Sequence, residues 1–300
     1  MIDAVMVSKR FDKIKAVDQV SVTIKEGNVF GLIGTNGAGK SSFIRMISGI
    51  IKPDSGTIHI DGMEVFENPK AKRLFFYISD DQYYFSNATP KDIKTFYQSV
   101  YADFDSVRFD KLLEHFELDQ RRKINTFSKG MKKQLSIISG ICANTKYLFC
   151  DETFDGLDPV VRQAVKSIFA KEITERNMTV VIASHNLREL EDICDHVGLL
   201  HKGGILLSKD LYDMKLSIHK IQCVLKADTE LQPIFEGLEV LKTELRGSLN
   251  TVTVRGSLEE IESRMKKVDP IFSEIIPLSL EEIFVSETEV VGYDIKKLIF

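Results

Sequence analysis

The nine residues Gly34, Thr35, Asn36, Gly37, Ala38, Gly39, Lys40, Ser41 and Ser42 constrain this 300-residue chain more than any other stretch. Gly34, Gly39, Lys40 and Ser41 fit G-x-x-x-x-G-K-[ST], and the apolar run Val29–Ile33 before them reads as a buried strand. Backbone N–H groups converge on a phosphate only where side chains stay clear, and the helix that follows adds its positive N-terminal end. Gly37 and Gly39 keep that approach open. Lys40 sets a point charge between terminal phosphates, and the Ser41 hydroxyl can ligate the magnesium that a nucleoside triphosphate brings with it. Strand, glycine-rich loop and helix start, in that order, predict an α/β core.

Composition narrows the remaining possibilities. Three hundred residues allow one domain of about 200 residues and a smaller one, with a core that needs no staples. A net charge of −4 gives no electrostatic reason to expect a nucleic-acid partner. Cys142, Cys150, Cys194 and Cys223 form no C-x-x-C pair and lie in apolar segments, as buried thiols of a reducing compartment do. The N-terminal apolar run is too short for a signal peptide, and no stretch reaches the 18 or so apolar residues of a membrane span. Any membrane spanning is therefore expected from another chain.

Residues 4–11 and 17–24 alternate apolar and polar around Asp12-Lys13 and predict an antiparallel pair, with Phe11 either packing at the strand end or serving as a platform for a base. A helix is expected over 42–50, a turn at 53–56, a strand over 57–60, and another over 75–79. Thr89-Pro90 opens a helical middle piece, two helices reaching about residue 117, which looks inserted between the strands of the core. Ser128, Lys129 and Gly130 precede an amphipathic helix to about residue 143 and form a second helix N-terminus suited to an anion.

Residues 147–150 read as an apolar strand that ends in Asp151-Glu152. A carboxylate at the C-terminal edge of an α/β sheet is placed for ligand chemistry: Asp151 to hold magnesium through water, Glu152 to polarise an attacking water. A helix over 160–176 and a strand over 179–183 then bring His185 to the same edge, where an imidazole can bond a terminal phosphate.

The order of Phe11, GTNGAGKSS, FSKGM, YLFCDE, GLD and ASH closely resembles the nucleotide-binding subunits of ABC transporters, over roughly residues 2–215. The resemblance implies that Phe11 stacks on adenine, that residues 34–42 are the Walker A motif, and that Asp151 and Glu152 are the Walker B aspartate and catalytic glutamate. It likewise implies that Asp158 belongs to the D-loop and that His185 is the switch histidine. FSKGM stands where the family has LSGGQ, so Ser128 and Gly130 carry over while Lys129 and Met131 depart. The loop glutamine that contacts magnesium in the family aligns at Asp80, with Gln82 two residues on, so that Asp80, Asp81 and Gln82 are all candidates for its role, and Thr153 replaces the proline usual after the catalytic glutamate. The implied cofactors are ATP and Mg2+. The implied assembly is a head-to-tail homodimer, or a heterodimer with a related ATP-binding subunit, in which FSKGM closes on the other copy's ATP. The implied partners are integral membrane permease subunits, with this chain peripheral on the cytoplasmic face of a bacterial cell membrane.

The expected fold is thus a P-loop NTPase of the ABC ATPase type over residues 1–215, with an antiparallel β subdomain and a helical subdomain at about 83–143. Residues 216–300 follow strand, helix, strand, strand, helix, strand, the order of a ferredoxin-like α+β accessory domain. Ser257 with Glu260 and Ser279 with Glu282 read as capping boxes there, and SLEEIF resembles the end of accessory domains in drug-exporter and antibiotic-resistance members. The expected activity is ATP hydrolysis driving transport, by export, through separate membrane subunits. The alternative is a non-transport ABC ATPase that clamps a soluble partner.

Overall fold

Alternating apolar residues build the first sheet. Strands β1 (Ile2–Phe11) and β2 (Ile14–Ile24) pair antiparallel, with Ile2, Ala4, Val7, Val17, Val20 and Ile24 buried. The register slips between Ala4 and Val7, around left-handed Met6, so the inward face passes from Ala4 to Val7 and Met6, which strict alternation would bury, is exposed beside Val5. In this computed structural model residues 1–226 and 229–290 are described, and the chain divides into two compact units, one ending at Ser208 and one starting at Lys209.

The first unit continues with β3 (Val29–Ile33), α1 (Lys40–Ile47), β4 (Ser55–Ile60), β5 (Met63–Glu64), α2 (Pro69–Lys72) and β6 (Phe75–Ile78). Helix α1 starts two residues earlier than the apolar pattern suggested, because left-handed Gly39 is its N-cap and puts Lys40 and Ser41 in the first turn. Helices α3 (Pro90–Val100), α4 (Ser106–His115) and α5 (Lys129–Cys142) form the expected helical piece, capped by Thr89, Asp105 and Ser128. Then come β7 (Tyr147–Asp151), α6 (Pro159–Arg176), β8 (Thr179–Ser184), α7 (Leu187–Leu190), β9 (His196–His201) and β10 (Gly204–Asp210). On α6, Glu172 is buried and holds both Arg176 of its own helix and Arg108 of α4, which ties the helical piece to the core.

The antiparallel sheet has the order β2-β1-β4-β5, and the main sheet the order β10-β9-β3-β8-β7-β6. From β9 to β6 every pairing is parallel, and β3, β7 and β8 are buried along their whole length, the pattern of a sheet covered on both faces. Parallel strands finish at one edge. The loops after β3, β6, β7 and β8 therefore emerge together, carrying residues 34–39, Asp80, Glu152 and His185.

The second unit holds α8 (Leu211–Ser217), β11 (Ile218–Val224), β12 (Glu239–Arg246), β13 (Leu249–Arg255), α9 (Leu258–Val268), β14 (Phe272–Ile276) and α10 (Leu280–Val290). Its antiparallel sheet runs β12-β13-β11-β14 over a core of Ile221, Cys223, Val252, Val254, Ile261 and Met265. Ser257 caps α9 through the Glu260 N–H, and Ser279 and Glu282 bond each other's backbone N–H as a capping box. The helix expected after the first strand of this unit is only a 3-10 turn at Gln232–Phe235. Pro233 has no N–H to give and Gly237 follows at φ 81°, so too few residues remain for an α-helix. The last expected residues, 291–300, lie outside those described.

Candidate functional site

The chain leaves β3 and turns through residues 34–39 into α1. Gly39 has φ 106° and ψ 2°, and a Cβ on it would lie 2.1 Å from the Ala16 carbonyl oxygen; Gly37, at φ 78°, faces open space. Gly34 is as confined, since a Cβ there would meet the Leu200 carbonyl oxygen at 2.4 Å. Thr35 and Asn36 are exposed, Ala38 is buried, and Ala38 N–H donates to the Thr35 carbonyl at 3.1 Å to close the loop. Helices α3, α4, α5 and α6 are all capped by a side-chain oxygen, whereas α1 has none. The N–H groups of its first turn are thus the donors that a phosphate would meet.

Lys40 is buried, and its Nζ donates to the carbonyls of Gly34 at 2.7 Å and Thr35 at 3.3 Å. The same ammonium is 3.2 Å from Glu152 Oε1. One residue on, the Ser41 hydroxyl donates to Asp151 Oδ1 at 2.9 Å, while Ser42 is half-buried. Asp151 ends β7 fully buried, with the Tyr77 hydroxyl donating to Oδ2 at 3.4 Å. Burial pushes its carboxyl above the ordinary range, and the Ser41 hydrogen bond and the Arg45 charge act against that.

Glu152 has a left-handed backbone, φ 48°, and its N–H donates to the Ala183 carbonyl of β8 at 3.0 Å. Oε2 lies 2.8 Å from His185 Nδ1. An ionised carboxylate only accepts, so Nδ1 carries the proton in this pair. His185 then donates a second hydrogen bond from Nε2, for example to phosphate, only as the doubly protonated ring.

Two hydroxyl-bearing or cationic residues on one helix start, two carboxylates on the next strand but one, and a histidine between them have thus been brought to a single edge. A family model described as ABC transporter matches residues 17–155. The ABC transporter ATP-binding protein YtrB of Bacillus subtilis is 32% identical over 287 residues, covering 96% of this chain and 98% of that protein. The chain belongs to the family of ABC transporter ATP-binding proteins. It is an ATPase of the ABC class. The bacitracin transport ATP-binding protein BcrA of Bacillus licheniformis is 34% identical over 66% of each chain, and the linearmycin resistance ATP-binding protein LnrL of Bacillus subtilis 32% over 69% of this chain and 68% of that one. Among solved structures, an ATP-binding subunit of an ABC transporter overlays with a TM-score of 0.66 at 25% identity, over 72% of this chain and 92% of that one. A dimeric bacterial ABC transporter cassette shares the fold, with a TM-score of 0.64 at 21% identity over 70% and 99% of the two chains.

The remaining sequence-predicted residues of this ABC protein are in different states of engagement. Phe11 is 43% exposed at the end of β1, with the Lys9 ammonium 5.7 Å above its ring. Ser128 accepts from the Met131 N–H at 3.1 Å as the cap of α5, and a Cβ on Gly130 would be 3.2 Å from the Gly156 carbonyl. Asp158 is occupied as the cap of α6, accepting from the N–H groups of Val160 and Val161 at 3.0 Å. In the loop after β6, Gln82 turns its amide back to the carbonyls of Ser79 and Asp80, whereas Asp80 Oδ1 is 3.2 Å from Lys133 Nζ.

Lys133, which contacts Asp80 and the Glu152 carbonyl, is a residue the motifs did not flag. Its signal was a charge at a position of α5 that shares a face with Ile137, Gly140 and Ile141, easily passed over within the polar run Lys132-Lys133-Gln134.

Proposed function

We propose that this chain is the ATP-binding and ATP-hydrolysing subunit of a bacterial ABC exporter, which closes as a dimer on Mg-ATP and drives separate membrane-spanning subunits. The observation that carries the reading is Glu152, held 2.8 Å from His185 and 3.2 Å from Lys40 beside the Ser41–Asp151 pair. In it, the uncapped start of α1 and Lys40 bind the phosphates, and Phe11 stacks on the adenine. Ser41 and Asp151 offer the oxygen ligands magnesium prefers, and the ion would neutralise charge between the phosphates. Glu152 orients the attacking water as general base, and His185 steadies its carboxylate. Ser128 and Gly130 of one copy, at the start of α5, face the ATP held by the other, and Asp158 lines the junction between the copies.

Lys40 also suggests how binding is sensed. Phosphate competes with Glu152 for its ammonium, so triphosphate binding exchanges the partner of Glu152 and leaves the carboxylate to water and His185. No helix among the described residues is long and apolar enough to cross a membrane, which supports permease subunits on other chains. The exposed aromatics Tyr83, Phe85 and Phe96, packed edge to face, form the surface we assign to them. Relatives named for bacitracin transport and linearmycin resistance support export.

The test is the mass of Glu152→Gln with and without Mg-ATP, alongside ATP turnover by the unmutated chain. Removing a general base is expected to slow hydrolysis by about 10²–10⁴-fold with binding intact, so the variant should accumulate as an ATP-bound dimer. A variant that stays monomeric, beside an unmutated chain without turnover, refutes the self-complementary ATPase.

A further inference from the structure

Helix α5 buries Leu135, Ile137, Ile138 and Ile141 against the core, and among them it buries one full charge: Lys133 is 0% exposed. A buried ammonium persists only where it is paired and hydrogen-bonded. Its Nζ meets Asp80 Oδ1 at 3.2 Å and donates to the backbone carbonyl of Glu152 at 2.5 Å. One cation therefore fastens three pieces of chain together, namely the loop after β6, the helix headed by Ser128, and the residue that follows β7.

The carbonyl it holds belongs to a strained residue. Glu152 is left-handed, a conformation that a side chain other than glycine keeps only when its surroundings impose it. The Ala183 carbonyl takes the Glu152 N–H on one side, and Lys133 takes the Glu152 carbonyl on the other. Held at both ends, the Glu152 backbone sends its carboxylate toward Lys40 and His185.

We infer that Lys133 is a positioning residue for Glu152, and that Asp80 is the counter-charge that keeps Lys133 in place and not a ligand of magnesium. This rests on the role given to Glu152 above. It also makes a mechanical statement: movement of α5 or of the 79–82 loop reaches the Glu152 backbone through one ammonium, without passing through any group that touches phosphate.

The experiment measures ATP turnover, affinity for a fluorescent ATP analogue and magnesium dependence in full-length Lys133→Met, Asp80→Asn, Glu152→Gln and the double variants Lys133→Met/Glu152→Gln and Asp80→Asn/Glu152→Gln. Displacing a catalytic group by about 1 Å can cost on the order of 10²-fold, so kcat should fall about tenfold or more in each of the first two, with nucleotide affinity within about twofold. Because Lys133 acts through Glu152, each double variant should turn over no slower than Glu152→Gln alone. Lys133→Arg should recover part of the rate, and the magnesium concentration for half-maximal rate should not move in Asp80→Asn.

Multiplicative losses in the double variants overturn the inference, as does a parallel loss of nucleotide affinity. A raised magnesium requirement in Asp80→Asn overturns the counter-charge and returns Asp80 to the metal. Should Lys133→Met not fold, Asp80→Asn carries the comparison, since Asp80 is 46% exposed in a loop. Absence of turnover in the unmutated chain would overturn the proposed function and this inference together, whereas a multiplicative loss on an active background overturns this inference alone.

Discussion

Gly39 and Gly37 differ in one respect that predicts a measurable divergence. Both are left-handed, at φ 106° and φ 78°, so alanine at either position bears backbone strain, about 1–2 kcal/mol for a left-handed helical residue. At Gly37 a Cβ meets nothing within 4 Å, and that strain is the whole effect. At Gly39 the Cβ would sit 2.1 Å from the Ala16 carbonyl oxygen, more than 1 Å inside ordinary contact, and the obstacle is backbone of β2 that cannot rotate away. Forcing such an overlap adds about 1–3 kcal/mol and displaces the loop. Gly39→Ala should therefore lose about 2–5 kcal/mol against about 1–2 for Gly37→Ala. For a unit of 150–250 residues each kcal/mol lowers the melting point by about 2–4 °C, so the two variants should separate by several degrees in calorimetry without nucleotide. The displaced loop should also raise the Kd for ATP at least about tenfold in Gly39→Ala. Equal melting points for the two alanine variants would refute the argument, because they would mean that the Ala16 carbonyl does not confine the loop.

Two further perturbations follow from the buried charges. Burial opposes the ionised form of Glu172, but the hydrogen bonds from Arg108 and Arg176 outweigh it and hold its carboxyl below the ordinary range; its stabilising contribution is full above about pH 4.5 and lost as pH falls through the lower folded value. Glu172→Ala leaves both arginines without their partner and should cost about 3 kcal/mol, the low end for a broken buried pair because both remain a quarter exposed, with the gap to the unmutated chain closing below pH 4.5 in a melting series. Asp151 has the opposite sign: its folded carboxyl is raised, so its contribution favours folding below about pH 3.8 and is lost as pH rises through the raised value. Asp151→Asn, which can still accept the Ser41 hydrogen bond, should melt higher than the unmutated chain at pH 7 without metal, and the gain should vanish below pH 3.8. It should also lose the stabilisation by Mg-ATP, about 2.7 kcal/mol at a hundred times Kd, that is expected of the unmutated chain. A metal-free melting point at pH 7 below that of the unmutated chain would contradict the sign.

The parts of this site that were legible in sequence are those whose local backbone demands a particular residue. Residues 34–39 need glycine where φ is positive, and the run Val29–Ile33 before them is too short and too apolar for anything but a buried strand, so loop and strand could be read together. Asp151 and His185 were legible as strand ends. What sequence spacing does not contain is strand order: β3 and β7 flank β8 although 113 residues lie between Ile33 and Tyr147, and only that parallel pairing brings Ser41 to Asp151. Hairpin β9–β10 extends the sheet on the far side of β3 and carries none of the chemistry that made the other strands readable. Lys133 was hidden for the converse reason. In a run of three polar residues it looks solvated, and the compensating charge at Asp80 lies 53 positions upstream.

Three carboxylates meet at this edge, and their partners divide the work among them. Asp80 is matched by Lys133, and Glu152 by Lys40 and His185. Asp151, the most deeply buried, has two hydroxyls for immediate partners, and Arg45, which bonds the Tyr77 hydroxyl, contributes only at longer range. A buried carboxylate compensated mainly by neutral donors is costly to keep ionised, and that cost is recovered when a divalent cation arrives. The cations already present therefore select the metal ligand: a magnesium ion placed at Asp80 or Glu152 would compete with lysine, whereas at Asp151 it would complete a site that hydroxyls only half satisfy. On the proposed reading, the same division lets the edge remain folded without nucleotide and still respond to it, since Lys40, the cation assigned to phosphate, also restrains Glu152.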